Sequence, residues 1–172
     1  MLPEKIIYFG LILHFFGQIS YLVSMAKGYA KPNLVSWVIW AVAPFLGSYF
    51  QFKAGAGLSV LPVFMAGFGP FLVVIFSIFN KKSYWKLTTF DIYCGILSIM
   101  ALFCYFFTKN LAISIFFALS CDALAGLPTL VKAWKFPETE SSPIYFFALI
   151  SNILGLLIIK EWSFSVSAFG IS

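Results

Sequence analysis

Residues 126–147 read GLPTLVKAWKFPETESSPIYFF, and residues 20–40 read SYLVSMAKGYAKPNLVSWVIW. Each breaks a long apolar run with lysines and a proline-bearing turn, then resumes as apolar. Sliding the chain over itself by 105 residues, the separation of Lys27 and Lys132, aligns the two stretches without a gap. Ile19 falls on Leu124, Leu22 on Leu127, Pro32 on Pro137 and Ser36 on Ser141, while Tyr29 meets Trp134 and Trp40 meets Tyr145. Hydrophobicity alone would not pair lysine, proline and serine at one offset. The two stretches are read as one helix–turn–helix device used twice, the mark of an internal repeat.

Composition gives the solvent for that device. The chain is 62% hydrophobic and 10% charged, with mean hydropathy +0.98, against about 45–50% and about 25% in soluble domains. Phenylalanine alone occurs 22 times. So few charges could not cover so much apolar surface in water, so an integral, multi-pass protein of the plasma or inner membrane is expected. At about 20 residues per span, helices are expected at 6–25, 34–52, 58–79, 88–107, 111–131 and 141–159. A further apolar stretch, 163–172, supplies only half a seventh span. The first run is read as a helix rather than a cleaved signal, since MLPEK has no net positive charge and KGYAK is a poor cleavage site.

The first, third and fifth connections carry Lys27, Lys31, Lys81, Lys82, Lys86, Lys132 and Lys135. The N-terminus and the even connections carry Lys5, Lys53, Lys109 and Lys160. Seven against four places the odd connections in the cytoplasm and the N-terminus outside. This bias accounts for the net charge of +5, so no nucleic-acid partner is expected. Cys94, Cys104 and Cys121 have no metal-ligand spacing, and the sequence holds one histidine and no nucleophile–base signature. No enzyme activity, cofactor or metal is expected.

The pattern "LPTLVKAW"–proline–serine–helix, together with KPNLVSWVIWA and CDALAGLPTLVKAW, resembles the PQ-loop motif of the SWEET, SemiSWEET and lysosomal amino-acid transporter superfamily. The resemblance implies an all-α membrane fold of two parallel triple-helix bundles joined by a linker helix, a seven-helix plan whose last helix is cut short here. Repeat one would be 6–79, the linker 88–107 and repeat two 111–172, within a single membrane domain 1–172. It further implies alternating access, with proline hinges in the pore helices. This sequence departs from that pattern: Pro128-Thr129 and Val23-Ser24 stand where the family has proline-glutamine. Pro128 and Pro44 are the two candidate hinges, and their repeat mates are Val23 and Leu149.

Polar groups are costly at membrane depth. Asp122, Gln18 and Asn152 each lie about midway along an expected span, where parallel-repeat transporters hold their substrate. Asp122 reads either as a buried, protonated acid bonded to a neighbouring helix or, since packing alone does not justify an unpaired acid, as the expected functional centre and candidate for proton coupling. Asn152 and Gln18 are either solute contacts or interhelical hydrogen-bond glue. His14 shares a helix face with Gly10, Gly17 and Tyr21, and reads either as a packed core histidine or as a proton-responsive group among the solute contacts. Trp40 and Tyr145, mates in the repeat, would clamp a ring-shaped solute by stacking.

Trp37 reads as an interfacial belt residue, Asp91 as an acid at a helix start, and Glu138 and Glu140, beside Lys132 and Lys135, as either a solvated charged turn or a gate latch. Gly67, Gly69, Pro62 and Pro70 predict a kinked third helix. The expected function is transport of a small polar or ring-shaped solute, with membrane lipid as surroundings and homo-oligomers left open. The alternative is a non-transporting receptor or assembly protein on the same fold.

Overall fold

The computed structural model describes residues 5–53, 55, 57–108 and 111–157. Six helices follow one another: α1 (Ile6–Ala26), α2 (Leu34–Lys53), α3 (Val60–Phe79), α4 (Thr89–Phe107), α5 (Leu111–Lys135) and α6 (Ser142–Leu157), with no strand among the described residues. By length and composition α1, α2 and α3 can each cross a membrane, whereas the apolar parts of α4 and α6 are shorter. The outward faces carry phenylalanines such as Phe9, Phe16 and Phe103, each about 60% exposed. Water would penalise such a surface and lipid would not. The chain is a helical membrane protein.

Local sequence explains where the helices start and stop. Thr88 and Asp91 form a reciprocal capping box at the head of α4: the Thr88 N–H donates to Asp91 Oδ2 at 2.7 Å and the Asp91 N–H to Thr88 Oγ1 at 3.3 Å. Asp91 is thus structural. Helix α1 ends at Gly28, whose φ of +80° suits glycine. The Gly28 N–H reaches the Met25 carbonyl and the Tyr29 N–H the Ser24 carbonyl, closing the helix by a Schellman turn. Helix α5 continues to Lys135, a turn beyond the expected end at residue 131. Its lysines read as loop, but Lys132 is buried and held by a partner described below. Helix α3 runs from Val60 to Phe79, with Pro62 in its first turn and Pro70 inside it. The half-span 163–172 lies outside the described residues.

Helix pairing is set by small residues. The closest partnerships are α1 with α6, α2 with α3 and α4 with α5, followed by α2 with α5 and α1 with α3. A side chain at Gly10 would meet Ser151 and Leu154, and one at Gly17 would meet Pro143, Ile144 and Phe147. Helices α1 and α6 therefore run antiparallel, with backbones brought together by two glycines on one face. Gly67 likewise admits the Ala41 carbonyl and Phe45 of α2. Because the Gly17 contact is 3.1 Å to backbone atoms of α6, Gly17→Val should force the two helices apart. Overpacking of this kind costs about 1–3 kcal/mol, expected as a lower unfolding midpoint in detergent. An unchanged midpoint would show that the interface can yield.

The three odd connections converge at one end. Asn80 Nδ2 donates to the Met25 carbonyl at 2.8 Å, the Lys31 N–H to the Thr139 carbonyl at 3.0 Å, and Trp85 packs edge-on against Phe136. Helix α4 sits at the periphery against α5 and α2, and most of its length is exposed and apolar.

Candidate functional site

Five helices surround one cavity of about 220 Å³, to which α4 contributes no lining residue. Helix α1 supplies His14 and Gln18, α2 Trp37, Trp40 and Pro44, α3 Ala66 and Pro70, α5 Asp122, and α6 Tyr145 and Asn152. The structure thus brings the six residues expected to bind solute, Asp122, Asn152, Gln18, Trp40, Tyr145 and His14, to the wall of a single space. Of the two expected hinges, Pro44 lines it, whereas Pro128 is fully buried elsewhere in α5.

Gln18 is fixed from one side. Its Nε2 donates to the Gly69 carbonyl of α3 at 2.7 Å, and its Oε1 lies where a β-carbon at Gly69 would stand, so a side chain there would push the Gln18 amide aside. That Oε1, together with His14 Nδ1 and Trp37 Nε1, is buried and has no hydrogen-bond partner. Asp122 makes no hydrogen bond or ion pair among the described residues. Native interiors leave few such groups unsatisfied; those of Gln18, His14 and Trp37 line the cavity, while others, on Asn33, Ser36, Thr129 and Ser151, lie away from it. Pro44 and Pro70 add to this, since proline has no N–H for the carbonyl four residues earlier. Those carbonyls belong to Trp40 and Ala66, both lining residues.

Toward the end where the odd connections meet, the cavity stops against aromatic rings. Trp37 is 2% exposed and lies 4.7 Å from Tyr21, 5.7 Å from Trp40 and 6.4 Å from Tyr145, centroid to centroid. It is a central part of the wall rather than an interfacial belt residue. Its spacing of three from Trp40 puts both on one helix face, a signal the sequence did hold.

Beneath the rings lies a buried charge pair. Lys132 Nζ donates to Glu140 Oε1 at 2.5 Å, with 2% and 7% of the two side chains exposed, and to the Thr139 carbonyl at 3.1 Å. Glu140 Oε2 accepts from the hydroxyls of Tyr21 at 3.1 Å and Tyr145 at 3.0 Å. The indole of Trp85 covers the ammonium at 5.0 Å. Glu140 is therefore not part of a solvated turn. One carboxylate ties together α1, α5 and α6, and Tyr145 joins this tie to the cavity wall.

The arrangement defines a class: a helical membrane protein with a polar-lined cavity among its helices and a charged lock at one end. No protein family model, no curated protein and no solved structure matches the chain. No group of three or more potential metal-ligating side chains occurs among the described residues.

Proposed function

We propose that this chain is a small-solute transporter in which two three-helix units move against each other about the cavity. The first unit is α1–α3, α4 is the linker, and the second begins with α5 and α6, on the seven-helix plan of the PQ-loop superfamily. The observation that carries the reading is one polar cavity shared by both units. Unsatisfied groups of His14, Gln18 and Trp37 line it, and the Glu140 lock lies at its end toward the odd connections. A polar solute site between two like units is what alternating access needs. The lysine bias makes the end with the lock cytoplasmic, in a multi-pass protein with its N-terminus outside. Further support comes from helix placement: α1 meets α6 and α5 meets α2, the exchange expected of two like units packed face to face.

The test is solute counterflow in proteoliposomes, with a panel of labelled amines, amino acids and sugars. Saturable, protein-dependent exchange of at least one of them is the expected result. Ligand binding without exchange of any would instead favour the receptor or assembly role on the same fold.

A further inference from the structure

The geometry points to a small organic cation, an alkylammonium with a short apolar body, as the occupant of the cavity. The inference takes the cavity to be the transport site proposed above and specifies the chemistry of what enters it.

Charge is the first argument. Asp122 is the one acid among the lining residues, and no lysine lines the space. The nearby buried cation, Lys132, already has Glu140 and the Thr139 carbonyl as partners. A carboxylate inside a membrane protein wants a partner, and among the described residues the fold gives Asp122 none. An anion entering the space would meet that carboxylate with only the Trp37 indole N–H and the His14 imidazole to offset the repulsion. A neutral sugar would leave the carboxylate to be compensated by a proton alone.

The remaining wall argues the same way. Its unsatisfied acceptor Gln18 Oε1 and the carbonyls of Trp40 and Ala66, deprived of their amide partners by Pro44 and Pro70, present partial negative charge. Trp37, Trp40 and Tyr145 provide aromatic surface of the kind that receives ammonium groups by cation–π attraction. About 220 Å³ has room for a solute of several heavy atoms. Val63, Ile144 and Ala148 complete the lining and suit an apolar body attached to the charged head.

The probes are tetramethylammonium, choline and 2-phenylethylamine, compared with 3,3-dimethylbutan-1-ol, the uncharged carbon analogue of choline, and with 3,3-dimethylbutanoate, an anion of similar shape. Binding is read on the purified full chain in detergent by quenching of tryptophan fluorescence and by shift of the unfolding midpoint. At least one cation should bind about tenfold or more tightly than the neutral analogue, as an aromatic, acid-bearing site allows, with the anion weaker still. Asp122→Asn, which keeps the side-chain shape, should erase the preference. Equal binding of choline and its neutral analogue, tighter binding of the anion, or no binding of any of the three cations overturns the inference, and all three results come from the unsubstituted protein. Cation binding that depends on Asp122 without exchange in proteoliposomes leaves the inference standing and sinks the transport reading. Exchange of neutral or anionic solutes with no cation preference does the reverse.

Discussion

Glu140→Gln is expected to destabilise the protein by about 3–5 kcal/mol, the usual consequence of leaving one buried ion without its partner. Lys132 would lose its counter-charge while 2% exposed, and the Tyr21 and Tyr145 hydroxyls would lose a charged acceptor. Lys132→Met should be costly for the mirror reason, leaving Glu140 buried with only the two tyrosines. The double variant Lys132→Met/Glu140→Gln should recover most of the loss, because replacing both members of a buried pair is often close to neutral. A double-mutant cycle on unfolding in detergent reads this directly. Because the pair is shielded from solvent, the loss should also change little with added salt. A loss below about 1 kcal/mol for Glu140→Gln would match an exposed pair and would return Glu140 to the solvated turn that its sequence neighbourhood suggests.

That contrast shows what sequence could and could not carry here. Helix positions were legible because apolar runs of membrane length are long and their interruptions abrupt. The expected 6–25, 34–52 and 88–107 agree within a residue or two with Ile6–Ala26, Leu34–Lys53 and Thr89–Phe107. Depth along a helix was legible as well, since residues at the middle of an expected span meet at the middle of the bundle. That is why Asp122, Asn152, Gln18 and His14 share one cavity. The tie between Lys132 and Glu140 was legible only as the lesser alternative, a gate latch beside the solvated turn. Eight residues apart across a turn, they look like any lysine and glutamate near water, and what buries them comes from elsewhere in the chain: Tyr21, Trp85 and Tyr145. The same holds for Gly69, whose close approach to the Gln18 amide becomes visible only in the fold. Local pattern reports an element's solvent; pair chemistry between elements requires the fold.

Asp122→Asn is expected to disconnect solute accumulation from a pH gradient. The argument follows from charge and rests on both the transport reading and the cation inference. A carboxylate that carries an organic cation is neutralised when loaded, and its return across the membrane is electrically silent only if a proton takes the cation's place. One-for-one exchange of this kind converts each pH unit into a tenfold solute ratio, about 1.4 kcal/mol. In proteoliposomes clamped at zero membrane potential, the unsubstituted protein should therefore accumulate a labelled cation by about tenfold per unit of imposed pH difference. The asparagine variant can neither release nor take up that proton, so its accumulation ratio should stay near one even at saturating solute. Two other titratable groups reach the same cavity, His14 from α1 and Tyr145 from α6, while the lining residues from α2 and α3 are tryptophan, proline, valine and alanine. His14→Gln is accordingly the control and should retain the pH response. If the response survives in the Asp122 variant and disappears in the His14 variant, the coupling group is the histidine. If the pH difference drives no accumulation even in the unsubstituted protein, Asp122 serves the solute alone, and the proton has no part in the cycle.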